Sequence, residues 1–372
     1  MEQHYINLDG YVKEITMLMN HLRVRHIFFV CGKSFQVSDL YDSIDYICTD
    51  NGIEVERFSD FSPNPRYEDV QMGVRLFQKN KCDFIFAAGG GSAIDVAKCI
   101  KLFAKMAPDE NYLKQKIVDN EIPLLAIPTT AGTGSEATRF AVIYVNGEKY
   151  SVEHESALPQ YVLLYPDSLK TLGNYQRKTT VCDALSHAIE SYWSVHATIE
   201  SKRWAEKAMK MILKYIGKYM EDDNTCREKM LLAANYAGRA INITKTTAAH
   251  AMCYKLTTLY HIPHGHAVML CLPEVWEYLY HHTDECVDVR GIQYLQETLD
   301  RLAHCLQQNT CQDAIDYLKH LRHTWGLDLL IETDQEQLML LVNSINTERL
   351  GNFPVSFSKE DLTAVYHKIL RG

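Results

Sequence analysis

The stretch CDFIFAAGGGSAIDVAKCIKLFAKM (Cys82–Met106) narrows the choice of fold more than any other part of the chain. Phe84–Ala88 is an unbroken apolar run of strand length, three glycines follow, and a helical pattern begins at once. A short run without polar alternation belongs to a strand covered on both faces, and a glycine turn leading into a helix is half of a β-α-β unit. The same rhythm fills the first half of the sequence. An amphipathic helix over 11–22 precedes HIFFVCG (His26–Gly32), a buried strand entering a glycine turn. SDLYDSIDYICTDN has helical spacing, GIEVERF (52–58) alternates as a strand, and SPNPRYEDVQMGVRLFQKN runs from a proline turn into a helix. PLLAIPTTAGTGSEATRFAVIYV gives a strand, a glycine-rich loop and a further strand. Strands alternating with helices make a parallel sheet covered on both faces, and ligands bind such sheets at the carboxyl ends of the strands. The loops at Gly32, Gly89–Gly91 and Gly132–Gly134 all follow strands and can converge on one crevice.

From about Thr179 the strand signals fade and helical periodicity runs to the end. A length of 372 residues suits about two domains of roughly 100–200 residues. The expected fold is therefore an α/β N-terminal domain with a parallel, Rossmann-like sheet over 1–175, followed by an all-α helical domain over 176–372, with the boundary near 170–178. A formal charge of −9 and the lack of a basic run argue against nucleic-acid binding. Eleven scattered cysteines, an odd count with no CxxC pair, read as free thiols in a reducing cytosol. The polar opening MEQHYINLDGYVKEI is no signal peptide, and the apolar runs are strand-sized, far short of the about 20 residues a membrane helix needs. A cytoplasmic protein without a membrane partner is expected.

Two groups of residues carry chemistry. Gly89, Gly90, Gly91 and Ser92 open a helix whose positive N-terminus can face a pyrophosphate, with the glycines allowing close backbone approach; the other reading is a tight strand-to-helix turn. Asp95, one turn on, serves either an active site or the helix dipole. Gly132-Thr133-Gly134-Ser135-Glu136-Ala137 matches the GxGxxG/A fingerprint in letters, but a strand rather than a helix follows, so it reads as a second nucleotide-side loop. Thr129 and Thr130 offer hydroxyls to a ribose or adenine. In the second half, Asp183 and His187 share one helix face at i, i+4, and His250 and His264 lie fourteen apart, the latter framed by Pro263 and Gly265. One carboxylate and three imidazoles suit a divalent cation, Fe²⁺ or Zn²⁺.

SPNPRYEDV, DFIFAAGGGSAIDVAK, IPTTAGTGSEAT, CDALSHAIESYW and IPHGHAV resemble, in order, the landmarks of the iron-containing (group III) alcohol dehydrogenases, over about residues 10–365. The resemblance implies a dinucleotide-binding α/β domain, a helical domain, and an active site in the cleft between them. It makes Asp183, His187, His250 and His264 the metal ligands, assigns Gly89–Gly91 and Ser92 to the pyrophosphate of NAD(H) or NADP(H), and places Thr129 and Thr130 toward the adenosine. Lys149 is similar to the lysine the family uses near the nicotinamide ribose. His266, His261 and His196 are left as surrounding or surface residues. Two departures stand out. Where members that prefer NAD carry an acid after the first strand, this chain has Gly32, then Lys33 and Ser34, so either cofactor is admitted. Many members have a histidine four residues after the third ligand; here Tyr254 takes that place as the candidate for proton transfer.

SYWSVHATIES and HAMCYKLTTLYHIPHGHAVMLCLP look most like the phosphonoacetaldehyde and sulfoacetaldehyde reductase members. Arg139, directly after GTGSEAT, and Lys255, beside Tyr254, are the expected cations for an anionic tail, with Arg349 a further cation in the C-terminal stretch. The implied activity is NAD(P)H-linked reduction of a small-molecule anionic aldehyde to its alcohol. The alternatives are a general short-chain alcohol, aldehyde or diol dehydrogenase, and a lyase like dehydroquinate synthase. The family's habit of pairing N-terminal elements implies a homodimer or larger homo-oligomer.

Overall fold

The computed structural model describes residues 3–33, 35–108 and 110–371; Ser34, expected near the cofactor, lies outside the described residues. The chain forms two compact units, Met1–Leu172 and Gly173–Gly372. The first is built from β1 (His4–Tyr5), α1 (Tyr11–Leu22), β2 (His26–Cys31), α2 (Asp39–Asp50), β3 (Glu54–Phe58), α3 (Tyr67–Lys79), β4 (Phe84–Gly89), α4 (Gly91–Phe103), β5 (Leu124–Pro128), β6 (Phe140–Val145), β7 (Glu148–Glu153) and β8 (Tyr161–Val162). Six strands pair in the order β1-β8-β5-β4-β2-β3, every pair parallel.

The unbroken apolar runs become the centre of this sheet because both strand faces are covered. Phe28, Val30, Ile85, Ala87, Leu124 and Ala126 pack into one core with α3 and α4. Their alternating neighbours Ile27, Phe29, Cys31, Phe84, Phe86, Leu125 and Ile127 pack into another with α1 and α2. The strand expected after the second glycine loop is β6, but it does not join the sheet. It pairs antiparallel with β7 through a tight turn at Asn146-Gly147, where both residues have positive φ (51° and 81°). An Asn-Gly pair between strands favours that two-residue hairpin.

The second unit comprises α5 (Asn174–Trp193), α6 (Ile199–Met220), α7 (Arg227–Thr244), α8 (Ala248–Tyr260), α9 (His264–His281), α10 (Ile292–Cys305), α11 (Cys311–Thr324), α12 (Gln335–Asn343), α13 (Thr347–Leu350) and α14 (Lys359–Arg371). The α/β-then-helical architecture is the one the periodicity of the sequence predicts. Helix α5 lies at its centre: every residue from Val181 to Trp193 is buried. Trp193 packs edge-on to Trp276 of α9 with ring centroids 5.4 Å apart, and Phe353 meets it at 6.2 Å. All eleven cysteines are free thiols, and among the described residues no helix is long and apolar enough to cross a membrane.

One side chain in the first unit opposes this burial. Lys101 of α4 is fully buried and its Nζ has no hydrogen-bond partner. Burial pulls its pKa down from 10.5 to about 8. The unfolded chain thus holds more protons than the folded one between those values, so stability rises with pH across that window. Lys101→Met, which keeps the stem and removes the ammonium, should raise stability at neutral pH by about 1–3 kcal/mol. It should also flatten the rise above pH 8, as read by denaturant unfolding at neutral and alkaline pH.

Candidate functional site

In the second unit, Asp183 and His187 project from the buried part of α5, His250 from the first turn of α8, and His264 from the first residue of α9. The Nε2 atoms of His187, His250 and His264 lie 3.6, 3.5 and 3.7 Å from one and the same atom, Asp183 Oδ1. These separations exceed a good N–H···O bond. Those of His187 and His250 match the spacing of about 3.3–3.6 Å between tetrahedral ligands that each stand about 2.0–2.2 Å from a cation, and His264 stands slightly farther out. Asp183 Oδ1 and His250 Nε2 are buried and make no hydrogen bond within the protein. Buried polar atoms rarely go unsatisfied, and a shared divalent cation would satisfy both, so the donor set fits the metal. Asp183, His187 and His250 are buried, whereas the His264 side chain is 33% exposed, leaving the site one open edge.

Gly265 explains how α9 reaches this point. A Cβ there would stand 1.8 Å from the Thr179 carbonyl oxygen of α5 and 3.1 Å from Asp183 Cβ, so only glycine lets the two helices approach closely enough to bring His264 beside Asp183.

The electrostatics follow from burial among like and unlike charges. Burial pushes the Asp183 carboxyl up, but the charges of His187, His264 and His250 hold it well below the usual carboxylate range. Burial would lower His250, yet Glu190 and Asp183 outweigh it and raise its pKa to about 10. Glu190 has no role in the motif reading. It lies seven residues beyond Asp183 and three beyond His187 on α5, a spacing that could have flagged it. It is fully buried, and its Oε2 bonds to His250 Nδ1. Cys253 was also missed; its Sγ is 3.6 Å from His264 Nδ1.

Tyr254 stacks on His264 with ring centroids 5.9 Å apart. Burial raises its pKa, against the opposing charges of Arg349 and His250, so the phenol keeps its proton. Arg349 is itself buried, on α13. Lys255, expected beside the site, lies five residues after His250, about 140° round α8 from it, and is not brought to the face carrying the ligand.

In the first unit the two main glycine loops meet. A Cβ on Gly91 would come within 2.9 Å of Thr133 Cγ2, and one on Gly90 within 3.4 Å of Thr130 Cγ2; the Thr129 N–H donates to the Gly89 carbonyl at 2.9 Å. Gly90 caps α4 without a side-chain bond, so this helix start can receive an anion. The Ser92 hydroxyl donates to the Pro63 carbonyl, tying in the proline turn. Gly32 follows β2, its N–H bonded to the Ala88 carbonyl at 3.1 Å, and Lys33 is exposed beyond it.

Two expectations change in the first unit. Asp95 is no free acid: Oδ1 accepts from Ser135 Oγ at 2.6 Å and Oδ2 from the Val142 N–H at 3.0 Å. Lys98, buried beside it, donates to Ser135 Oγ, Thr138 Oγ1 and the Phe140 carbonyl at 3.0, 3.0 and 2.8 Å. The pair fastens the second glycine loop to α4, with the Lys149 charge of β7 also acting on Asp95. Asp95 therefore positions the loop. Arg139 cannot serve as an unoccupied anion clamp, because Nε and Nη1 are paired with Glu153 and Glu155 at 3.2 and 3.1 Å. These glutamates follow it across the β6–β7 hairpin, a pairing that sequence distance concealed.

Comparison with known proteins agrees with this architecture. The family model for iron-containing alcohol dehydrogenase matches residues 3–166, and that for the C-terminal part of the Fe-containing alcohol dehydrogenase family matches residues 178–370. The chain belongs to the iron-containing alcohol dehydrogenase family and is an oxidoreductase. It is 35% identical over 244 residues to aldehyde-alcohol dehydrogenase 2 of Entamoeba histolytica, 61% of this chain but only 28% of that longer protein. It is 29% identical over 311 residues to phosphonoacetaldehyde reductase of Streptomyces viridochromogenes, covering 79% of this chain and 78% of that one. The structure of sulfoacetaldehyde reductase from Bifidobacterium kashiwanohense in complex with NAD⁺ superposes with a TM-score of 0.86 at 26% identity, covering 100% of this chain and 97% of the other.

Gly265→Ala should abolish metal uptake, measured as bound metal per chain after dialysis; full occupancy would refute the close-approach argument. Because Glu190 and Asp183 favour the protonated form of His250 in the metal-free protein, a cation must displace a proton from it. Metal affinity should therefore rise with pH through the neutral range, by about tenfold per unit for one proton released, as followed by chelator competition.

Proposed function

We propose that this chain is an NAD(P)H-linked, metal-dependent reductase of a short aldehyde with an anionic tail, such as phosphonoacetaldehyde or sulfoacetaldehyde. The observation that carries the metal-dependent part is the convergence of three imidazole nitrogens on Asp183 Oδ1. Asp183, His187, His250 and His264 would hold Fe²⁺ or Zn²⁺. Gly89, Gly90, Gly91 and Ser92 would take the pyrophosphate, Thr129 and Thr130 the adenosine side, Lys149 the nicotinamide ribose, and Gly32, Lys33 and Ser34 the adenosine 2′ region. When bound, the cation supplies Lewis acidity toward a carbonyl oxygen and the nicotinamide supplies hydride. The protein's own part is to hold these groups, to shield the buried side of the ligand set from water, and to offer a proton from the Tyr254 phenol oxygen. The cation for the tail is assigned to buried Arg349, whose charge acts on Tyr254, rather than to Arg139. The resemblance to the phosphonoacetaldehyde and sulfoacetaldehyde reductases supports the anionic substrate. A homo-oligomer in a reducing, cytoplasmic setting completes the proposal.

One observation favours a second reading. With the Arg139 fork taken by two glutamates, the enzyme can equally be a general short-chain alcohol or aldehyde dehydrogenase. A substrate panel on the purified protein, read by nicotinamide absorbance with both cofactors, separates the two. Phosphonoacetaldehyde or sulfoacetaldehyde should exceed propanal and lactaldehyde in kcat/KM by about tenfold or more, as expected for a desolvated charge-assisted contact. Arg349→Met should raise KM for the anionic aldehyde while sparing propanal, and Arg139→Ala should leave both unchanged. Equal efficiency across the panel would select the general dehydrogenase.

A further inference from the structure

Both oxygens of Glu190 are used by the start of α8. Oε2 meets His250 Nδ1. Oε1 receives the Thr247 hydroxyl at 2.7 Å and the N–H groups of Ala249, Thr247 and His250 at 2.9, 3.2 and 3.4 Å. Thr247, the residue that begins this helix, makes no side-chain cap bond of its own; its hydroxyl accepts from Trp193 Nε1 at 2.9 Å and gives its proton to Glu190. The orphan N–H groups of the helix start are thus capped by a carboxylate from α5. A carboxylate has no hydrogen to donate, so the proton in the Glu190–His250 contact belongs to Nδ1.

We propose that Glu190 is a positioning residue of the metal centre, keeping the proton of the metal-bound His250 on Nδ1 so that its Nε2 lone pair faces the point shared with Asp183 Oδ1. The inference rests on the metal reading above. A carboxylate behind a ligating imidazole fixes the ring's orientation and makes it a stronger donor. The two oxygens do separable work, Oε1 as helix cap and Oε2 as orienting acceptor. Glu190→Gln divides them. The donors gathered on Oε1 keep the amide oxygen at that place, so the NH₂ group is turned toward His250. Nδ1 must then accept, and the ring proton moves to Nε2, the nitrogen a cation needs.

The test is a chelator-competition titration of Zn²⁺ and Co²⁺ into wild type, Glu190→Gln and Glu190→Ala. Thermal unfolding of each metal-free protein and nitrogen NMR of the histidine tautomers accompany it. Glu190→Gln should weaken metal binding about 10–100-fold with a metal-free unfolding midpoint near that of wild type and His250 as the Nε2–H form. Glu190→Ala should lower both affinity and midpoint. Wild-type affinity in Glu190→Gln, or a fall in its midpoint as large as that of Glu190→Ala, would overturn the positioning role and leave Glu190 a helix cap. A wild-type protein that takes up neither metal would overturn the metal reading itself.

Discussion

The second unit is built around two carboxylates that have no access to water. Asp183 and Glu190 stand two turns apart on a stretch of α5 that is buried all round. An isolated charge in such surroundings costs many kcal/mol, so neighbouring helices must supply compensation. Asp183 gathers three imidazoles, while Glu190 gathers one imidazole, a hydroxyl and the first N–H groups of α8. Gly265 brings α9 against α5 at the level of Asp183, and Trp193, at the end of the same buried run, holds the Thr247 hydroxyl. The unit's packing and its candidate chemistry are consequences of one requirement, that these negative charges be matched.

The first unit meets the same requirement with the opposite sign in the centre. Buried Lys98 finds Ser135, Thr138 and the Phe140 carbonyl, with Asp95 4.0 Å away. That network pins the loop carrying Gly132–Gly134 to the helix that the triple glycine opens, so the two glycine loops keep a fixed spacing. Lys101, one turn along α4, has no such partners and works against the fold instead. Neighbouring lysines on one helix thus have different consequences, decided by what the sheet and hairpin place opposite each.

Much of the fold was legible because its signals are local. The limits of α1 and the strands β2 and β4 follow from apolar periodicity and glycine placement. The residues of the candidate metal site were marked in the sequence by an i, i+4 pair on one helix, a Pro-His-Gly turn and a histidine fourteen residues before it, since a helical turn and a close-approach glycine leave a mark on spacing. What escaped depends on contacts made across the chain. Arg139 read as a spare cation because Glu153 and Glu155 are brought to it only by the hairpin. Asp95 read as a site acid because its donors, Ser135 and Val142, lie some forty residues away.

The sequence by itself determined the alternation that yields a parallel sheet, the helical second half, and the residue types able to hold a cation and an anion. Tertiary structure decided which of those groups are available. It set three imidazole nitrogens around one carboxylate oxygen, engaged Arg139 and Asp95 elsewhere, and put Glu190 behind His250. The reason is physical: periodicity and propensity act over one or two turns, whereas the state of a charge depends on whatever opposite charge or dipole the folded chain brings within a few ångströms of it.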